Sequence, residues 1–271
     1  MFFVYKIISI VFVPLIKINL RIRILKKKED KIRFRERFGI TLLKRPKGQL
    51  IWIHATSVGE FKSTSIIIDK FYKKNNILVT TTTLSSAKYA KAKYGDKIIH
   101  QYSPLDNEKW IKIFLDNWKP NLCIWIESDL WPNTLNLIKK YKIKSILLNL
   151  RISPNSFNRW FFFKALYKKM LNSFDYIYAQ SLIDQKRIIS LTNKDIKYIG
   201  NLKLSLLENK KILSSKFKNI KKNLKNKKIL FLASTHDKEE KFFFSVIKKL
   251  LNKNQNLKVI IAPRHPERTN Y

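Results

Sequence analysis

A carboxylate in the first turn of a helix, just past the carboxyl end of an apolar strand, can take a proton from a bound substrate. The segment IWIHATSVGEF, from Ile51 to Phe61, places Glu60 there. Leu50 to Ile53 is rich in β-branched and aromatic side chains and follows the breaker Pro46-Lys47-Gly48, which predicts a strand. Phe61, Ser65, Ile68 and Tyr72, with Phe71 beside the last, recur at helical spacing and predict one helix, with Lys62, Asp69 and Lys73 facing water. Ser57-Val58-Gly59-Glu60 also fits a capping box, in which Ser57 accepts from the Glu60 N–H and the Glu60 side chain reaches back to Ser57. Taken alone, the pattern favours a cap over catalysis, because Ser-x-x-Glu is common at helix starts. A base role is favoured if partial burial raises the pKa of Glu60, while the helix N-terminus pulls it down.

Three further groups could carry chemistry. Glu127-Ser128-Asp129 follows the apolar run Leu122 to Ile126 and precedes Trp131-Pro132, with Pro132 suited to a first helical position. Ser234, Thr235 and His236 lie beside a helix start and read equally as a phosphate cradle or as a plain cap. Arg264, after Pro263, can fork onto a phosphate, or the pair can simply end a strand in a turn. His54, His100, His236 and His265 are far apart with no paired ligand spacing, so no metal site is expected. Cys123, alone in its type, predicts a buried structural thiol.

These groups need a frame. Runs at Leu50 to Ile53, Ile77 to Thr81, Ile98 to Tyr102, Leu122 to Ile126, Ser145 to Asn149, Tyr176 to Ala179, Ile229 to Ala233 and Lys258 to Ala262 read as strands, with helical patterns between most of them. Such alternation predicts a parallel sheet covered by helices on both faces, with functional residues at the carboxyl ends of the strands. The candidates fall there. Residues 206–228, rich in Lys, Asn and Leu, read as a charged helical connector, and a second α/β unit spans 229–271 with a helix over Asp237 to Leu251. At the other end, Met1 to Ile16 is apolar but interrupted by Lys6 and Pro14, and a basic cluster follows at Arg21, Arg23 and Lys26 to Lys28. An uninterrupted span of roughly 20 apolar residues is lacking. Residues 1–28 are therefore expected to form a short anchor or an interfacial helix, with the basic flank placing the remaining chain, beginning with a lobe over residues 29–205, on the cytoplasmic side. A buried core helix is the bland alternative.

Composition narrows the function classes. The 271 residues are 45% hydrophobic, enough for a core and against disorder. Lys and Arg number 56 against 19 Asp and Glu, a net charge of +37 and a pI near 10.2, which would ordinarily point to nucleic acid. The cations are instead spread from end to end, together with abundant Ile, Asn, Phe and Tyr, as an AT-rich coding sequence would produce. No specific nucleic acid is expected. Scattered Lys would still draw a phosphorylated glycolipid and an anionic bilayer.

Nine segments, taken in order, resemble bacterial 3-deoxy-D-manno-octulosonic acid (Kdo) transferase: the opening block, TTTTLSSAKYA from Thr80, YSPLDN from Tyr102, IWIESDLWPN from Ile124, NLRISPNS from Asn149, AQSLIDQKR from Ala179, GNLKL from Gly200, ASTHDKEE from Ala233 and PRHPER from Pro263. The resemblance implies a two-lobe, Rossmann-like glycosyltransferase B fold, acceptor lobe first and nucleotide lobe second. It implies transfer of Kdo from CMP-Kdo to the phosphorylated lipid A precursor of lipopolysaccharide, with inversion and no metal or cofactor, on the cytoplasmic face of the inner membrane. Carried onto this chain, Glu60 is the base, Glu127 and Lys203 stabilise the transition state, and Pro263 and Arg264 contact CMP beside Ser234, Thr235 and His236. Ser57, Gly59, Thr82 and Thr83 fall on the acceptor side, Gly59 keeping the turn small. The chain departs from the pattern at Leu84-Ser85-Ser86-Ala87, which lacks the usual Pro and Gly and should turn less tightly. Asp129 replaces a glutamate, and Leu204-Ser205 stands where Phe-Asp is usual. The 44 residues from Lys228 are too few to close a second Rossmann sheet, so that lobe is expected to be incomplete and its nucleotide site impaired. The competing expectation is an inactive or split relic that binds membrane or RNA through its charge.

Overall fold

The computed structural model describes residues 1–204 and 222–264. The chain divides into two units, residues 1–209 and 210–271.

In the first unit the strands are β1 (Leu50–His54), β2 (Asn76–Thr81), β3 (Ile99–Tyr102), β4 (Leu122–Ile126), β5 (Lys144–Leu150), β6 (Tyr176–Ala179) and β7 (Lys197–Tyr198). All pair in parallel, in the order β3-β2-β1-β4-β5-β6-β7. The order reverses between β1 and β4, and a parallel sheet opens a crevice at that switch point, beyond the carboxyl ends of its strands. Alternation fills both faces. Trp52 and Trp125 point into a core with Phe114, Trp118 and Leu147, while Ile51, Ile53, Ile124 and Ile126 point into the opposite one with Phe61, Ile68 and Tyr94. Cys123 lies fully buried as a free thiol, and burial drives its pKa upward.

The helices are α1 (Phe2–Val11), α2 (Val13–Leu25), α3 (Val58–Ser63), α4 (Ser65–Phe71), α5 (Leu84–Tyr94), α6 (Glu108–Trp118), α7 (Pro132–Lys140), α8 (Pro154–Phe162), α9 (Lys164–Leu171) and α10 (Leu182–Leu191). The single helix expected over Phe61 to Tyr72 is broken at Thr64. There the Ser63 hydroxyl donates to the Glu60 carbonyl at 2.6 Å and the Thr64 hydroxyl to the Phe61 carbonyl at 2.7 Å, back-bonds that compete with the helical ladder. Thr83 caps α5 through the Ser86 N–H, so the Leu84-Ser85-Ser86-Ala87 segment opens a helix.

The N-terminal pair α1 and α2 bends by 57°. Among the described residues no single helix is long and apolar enough to cross a membrane, although this bent pair passes by length and composition. Both helices carry exposed apolar side chains, yet α1 is also tied to the lobe: Tyr5 donates to Asp106 at 2.9 Å and Lys6 pairs with Glu108 at 2.5 Å.

The second unit has β8 (Lys228–Thr235), α11 (Asp237–Lys253) and β9 (Leu257–Pro263), the two strands parallel. Most of the expected connector, residues 206–221, lies outside the described residues, as do His265 and the rest of the last motif.

Candidate active site

A cleft of about 810 Å³ opens at the switch point of the first unit. Thr56 and Glu60 enter it from the turn after β1, Thr82 and Thr83 from the end of β2, Ser103 to Asp106 from the end of β3, and Glu127 to Asp129 from the end of β4. Arg151 follows β5. The remaining wall is α2, through Ile16, Asn19, Leu20 and Arg23.

Glu60 is half-buried and held from three sides. Its Oε2 accepts from the Thr56 N–H and from the Thr56 hydroxyl, both at 2.7 Å, and its Oε1 accepts from the Ser57 hydroxyl at 3.2 Å. Ser57 accepts from the Glu60 N–H as the capping box requires, but the return bond goes to Thr56 instead of the Ser57 backbone. The carboxylate is thus aimed while keeping lone pairs for a substrate hydroxyl. Gly59 is exposed, and a Cβ there would meet only the Ser57 hydroxyl, at 3.8 Å. The fold itself therefore does not require glycine at that position.

Glu127 is buried and has φ of 62°, a left-handed conformation that costs a side-chain-bearing residue on the order of 1–2 kcal/mol. Such strain persists where the surroundings impose it and gathers at functional sites. The Glu127 N–H donates to the Leu148 carbonyl at 2.9 Å, and its carboxylate meets two cations: Lys203 Nζ lies 2.6 Å from Oε1 and Arg151 Nε 3.3 Å from Oε2. Asn149, also left-handed at φ 59°, accepts from the Leu202 N–H at 3.2 Å and so brings the Gly200 to Leu204 segment beside Glu127. Two residues 76 positions apart in sequence become one charged pair. The next carboxylate, Asp129, accepts from the Trp131 indole at 2.9 Å, and its backbone carbonyl accepts from the Trp125 indole at 2.8 Å.

Three residues given no role by the sequence shape the floor. Arg37 is buried, pairs with buried Glu29 at 2.9 Å, and donates to the Thr82 carbonyl at 2.6 Å and the Ser103 carbonyl at 3.2 Å. A buried pair of this kind fixes geometry more than it adds stability. Asp106 caps α7 from a distant loop, accepting from the Asn133 and Thr134 N–H groups at 3.0 and 2.8 Å and from the Thr134 hydroxyl at 2.6 Å. Burial raises its pKa despite those donors. Pro132 takes the first turn of α7 as expected, but Trp131 at the N-cap makes no side-chain cap bond, so Asp106 does that work across space.

Five of the 19 acidic residues line this one cleft, against three of the 56 basic ones. A groove built to neutralise a nucleic acid backbone would have the opposite balance. Carboxylates, hydroxyls and a few guanidinium groups suit a hydroxyl-rich ligand that carries a small number of anionic groups.

In the second unit, Ser234, Thr235 and Arg264 converge at the ends of β8 and β9. The Arg264 N–H donates to the Thr235 carbonyl at 3.0 Å and its guanidinium reaches Ser234 Oγ at 3.4 Å. Ser234 is left-handed at φ 60°, Thr235 pairs in register with Pro263, and His236 caps α11, its N–H donating to Glu239 at 2.8 Å.

A family model described as 3-deoxy-D-manno-octulosonic-acid transferase (kdotransferase) matches residues 32–206, which include Glu60, Glu127 and Lys203. The 3-deoxy-D-manno-octulosonic acid transferase of Rickettsia bellii is 36% identical over 97% of this chain, and that of Haemophilus influenzae 33% over 83%. The chain spans 63% and 54% of the lengths of those relatives. Among solved structures, UDP-GlcNAc 2-epimerase from Neisseria meningitidis superposes with a TM-score of 0.54 at 12% identity, covering 79% of this chain and 65% of its own. Likeness at that identity speaks for the fold alone. With the strand order, it gives the Rossmann-like glycosyltransferase B architecture expected from the sequence.

Proposed function

The chain belongs to the 3-deoxy-D-manno-octulosonic-acid transferase family, and from that premise we propose that it transfers Kdo from CMP-Kdo to the phosphorylated lipid A precursor in lipopolysaccharide synthesis. The observation that carries the reading is the meeting of Glu60 and Glu127 in one cleft at the sheet's switch point, with Lys203 ion-paired to Glu127. Glu60 takes the proton of the acceptor hydroxyl as that oxygen bonds to the anomeric carbon of Kdo. The bond from that carbon to the CMP phosphate breaks, and CMP leaves with the electron pair. Attack from the face opposite the leaving group inverts the centre. CMP is its own leaving group, so the reaction calls for no cofactor. Lys203, aimed by Glu127 and accompanied by Arg151, supplies positive charge for the departing phosphate. Arg264, Ser234 and Thr235, with Pro263 and His236 beside them, form the contact for CMP. Thr82, Thr83 and Ser57 support the acceptor side.

The protein works at the cytoplasmic face of the inner membrane in this reading. The exposed apolar side chains of α1 and α2 and the basic cluster at the end of α2 and just beyond it support it. Charge-driven RNA binding finds no support in the acid-rich cleft.

The test compares Glu60→Gln with the unaltered full chain in transfer from CMP-Kdo to the precursor lipid. Loss of the base should slow turnover by about 10²–10⁴-fold. Near-normal turnover in the variant removes Glu60 from the base role, and absence of transfer by the unaltered chain removes the activity from it.

A further inference from the structure

The sequence separates residues 1–28, as an attachment device, from the lobe that does the chemistry. The cleft does not respect that division. Ile16, Asn19, Leu20 and Arg23 recur at i, i+3, i+4 and i+7 and form one stripe of α2, and that stripe is a wall of the same cleft that holds Glu60 and Glu127. Leu15, Ile18, Ile22 and Leu25 form a second, solvent-exposed apolar stripe about a third of the way round the helix. One helix therefore faces the site with one stripe and presents a lipid-compatible surface with the next.

The helix is held in that position by specific contacts. Arg23 Nε donates to Glu29 at 3.3 Å, and Glu29 is the same carboxylate that grips Arg37 on the cleft floor. Upstream, the Asn133 side chain donates to Ser9 Oγ and the Asn107 side chain to the Ser9 carbonyl, each at 3.1 Å. Along the cleft stripe the side chains run apolar Ile16, the amide of Asn19, apolar Leu20 and the guanidinium of Arg23. From Ile16 to Arg23 the helix rises about 10 Å. A ligand matching that stripe offers apolar and hydroxyl-bearing surface side by side over Ile16 to Leu20, with an anionic group toward Arg23.

We propose that this stripe of α2 is part of the acceptor site: Ile16 and Leu20 meet acyl chain, Asn19 meets sugar hydroxyls, and Arg23 meets a phosphate of the glycolipid, which slides in along α2 from the bilayer. This rests on the transferase reading above and adds a substrate wall that the attachment segment supplies. It makes α2 a determinant of which amphiphile reaches Glu60.

Photo-crosslinking tests it without relying on turnover. p-Benzoylphenylalanine is placed at Asn19 on the cleft stripe, at Ile18 on the outer stripe, and at Trp131 in the cleft as a reference, each in the full chain, all three positions being exposed. The proteins are irradiated on phosphatidylethanolamine–phosphatidylglycerol vesicles containing the phosphorylated lipid A precursor as a minor component. The ratio of precursor adducts to bulk phospholipid adducts should be about tenfold higher at 19 than at 18, a modest binding preference. Precursor adducts at 131 with equal ratios at 18 and 19 would overturn the α2 wall and leave the cleft reading standing. Absence of precursor adducts at both 19 and 131 would remove the acceptor from the cleft, and both readings would fall together.

Discussion

The two units use the same strand-helix-strand grammar and reach very different degrees of burial. In the first, seven strands sandwiched by helices close over Trp52, Trp118 and Trp125, each almost fully buried. In the second, β8, α11 and β9 form regular elements with a good parallel register, yet Thr235 is the one buried side chain among the described residues, and Phe231, Phe242 and Phe244 are 58%, 71% and 67% exposed. Local pattern is sufficient for strands and helices. Burial needs layers, since a two-stranded sheet covers one helix poorly and leaves its own outer face bare.

Hydrogen exchange gives the broadest test of that contrast. Amides of Trp52, Ile53 and Ile124 should exchange slower than those of Phe231 and Ile260 by on the order of 10³-fold or more, because opening the first unit means exposing its core. Equal protection would mean that the second unit is covered by something else. Mutation sharpens the point. Trp125→Ala should cost about 3–5 kcal/mol in urea unfolding, while Phe244→Ser should stay within about 0.5 kcal/mol. A large cost at Phe244 would break the comparison.

A smaller effect is expected at Asp106. Asp106→Ala strips the cap from α7 and the partner from Tyr5, and should destabilise the first unit by about 2 kcal/mol, with faster exchange at Asn133 and Thr134. Unchanged exchange there would mean that α7 is capped by solvent. A further effect is tied to pH. His100 accepts from Arg33 on Nδ1 and contacts Thr81 on Nε2, and burial together with the Arg33 and Arg37 charges pushes its pKa down to about 3. The unfolded chain takes up that proton more readily, so the contribution is whole above about pH 6.5 and is lost as pH falls toward 3. The urea midpoint of His100→Gln should therefore vary less over that window than the wild type. A parallel decline in both would assign the acid sensitivity to other groups.

The contrast also marks what the sequence could disclose. All eight strands of the sequence reading exist within a residue or two at either end, because each is a short apolar run between breakers. The two-residue β7 was missed because Lys197 and Tyr198 are exposed and carry no apolar signal. The Glu60 turn was legible as a cap, since its partners lie within four positions. Lys203 was indistinguishable from its fellow lysines, and only resemblance picked it out before the left-handed Asn149 and Glu127 gave it a place. The Asp106 cap was beyond reach, as it joins residues 27 and 28 positions apart through no local pattern. Thr64 broke its helix through hydroxyl bonds that apolar periodicity does not register.

The contact between Tyr5 and Asp106 also has a meaning in time. Tyr5 leaves the ribosome before its partner Asp106, and the α7 terminus that completes the same knot at Thr134 follows 129 residues after Tyr5. At 5–20 residues per second that is an interval of about 6–26 s. During it, α1 has no α7 to dock on, and the exposed apolar side chains of α1 and α2 are open to a lipid surface from the time they are made. The helix pair is therefore made before the cleft that α2 walls has its remaining sides.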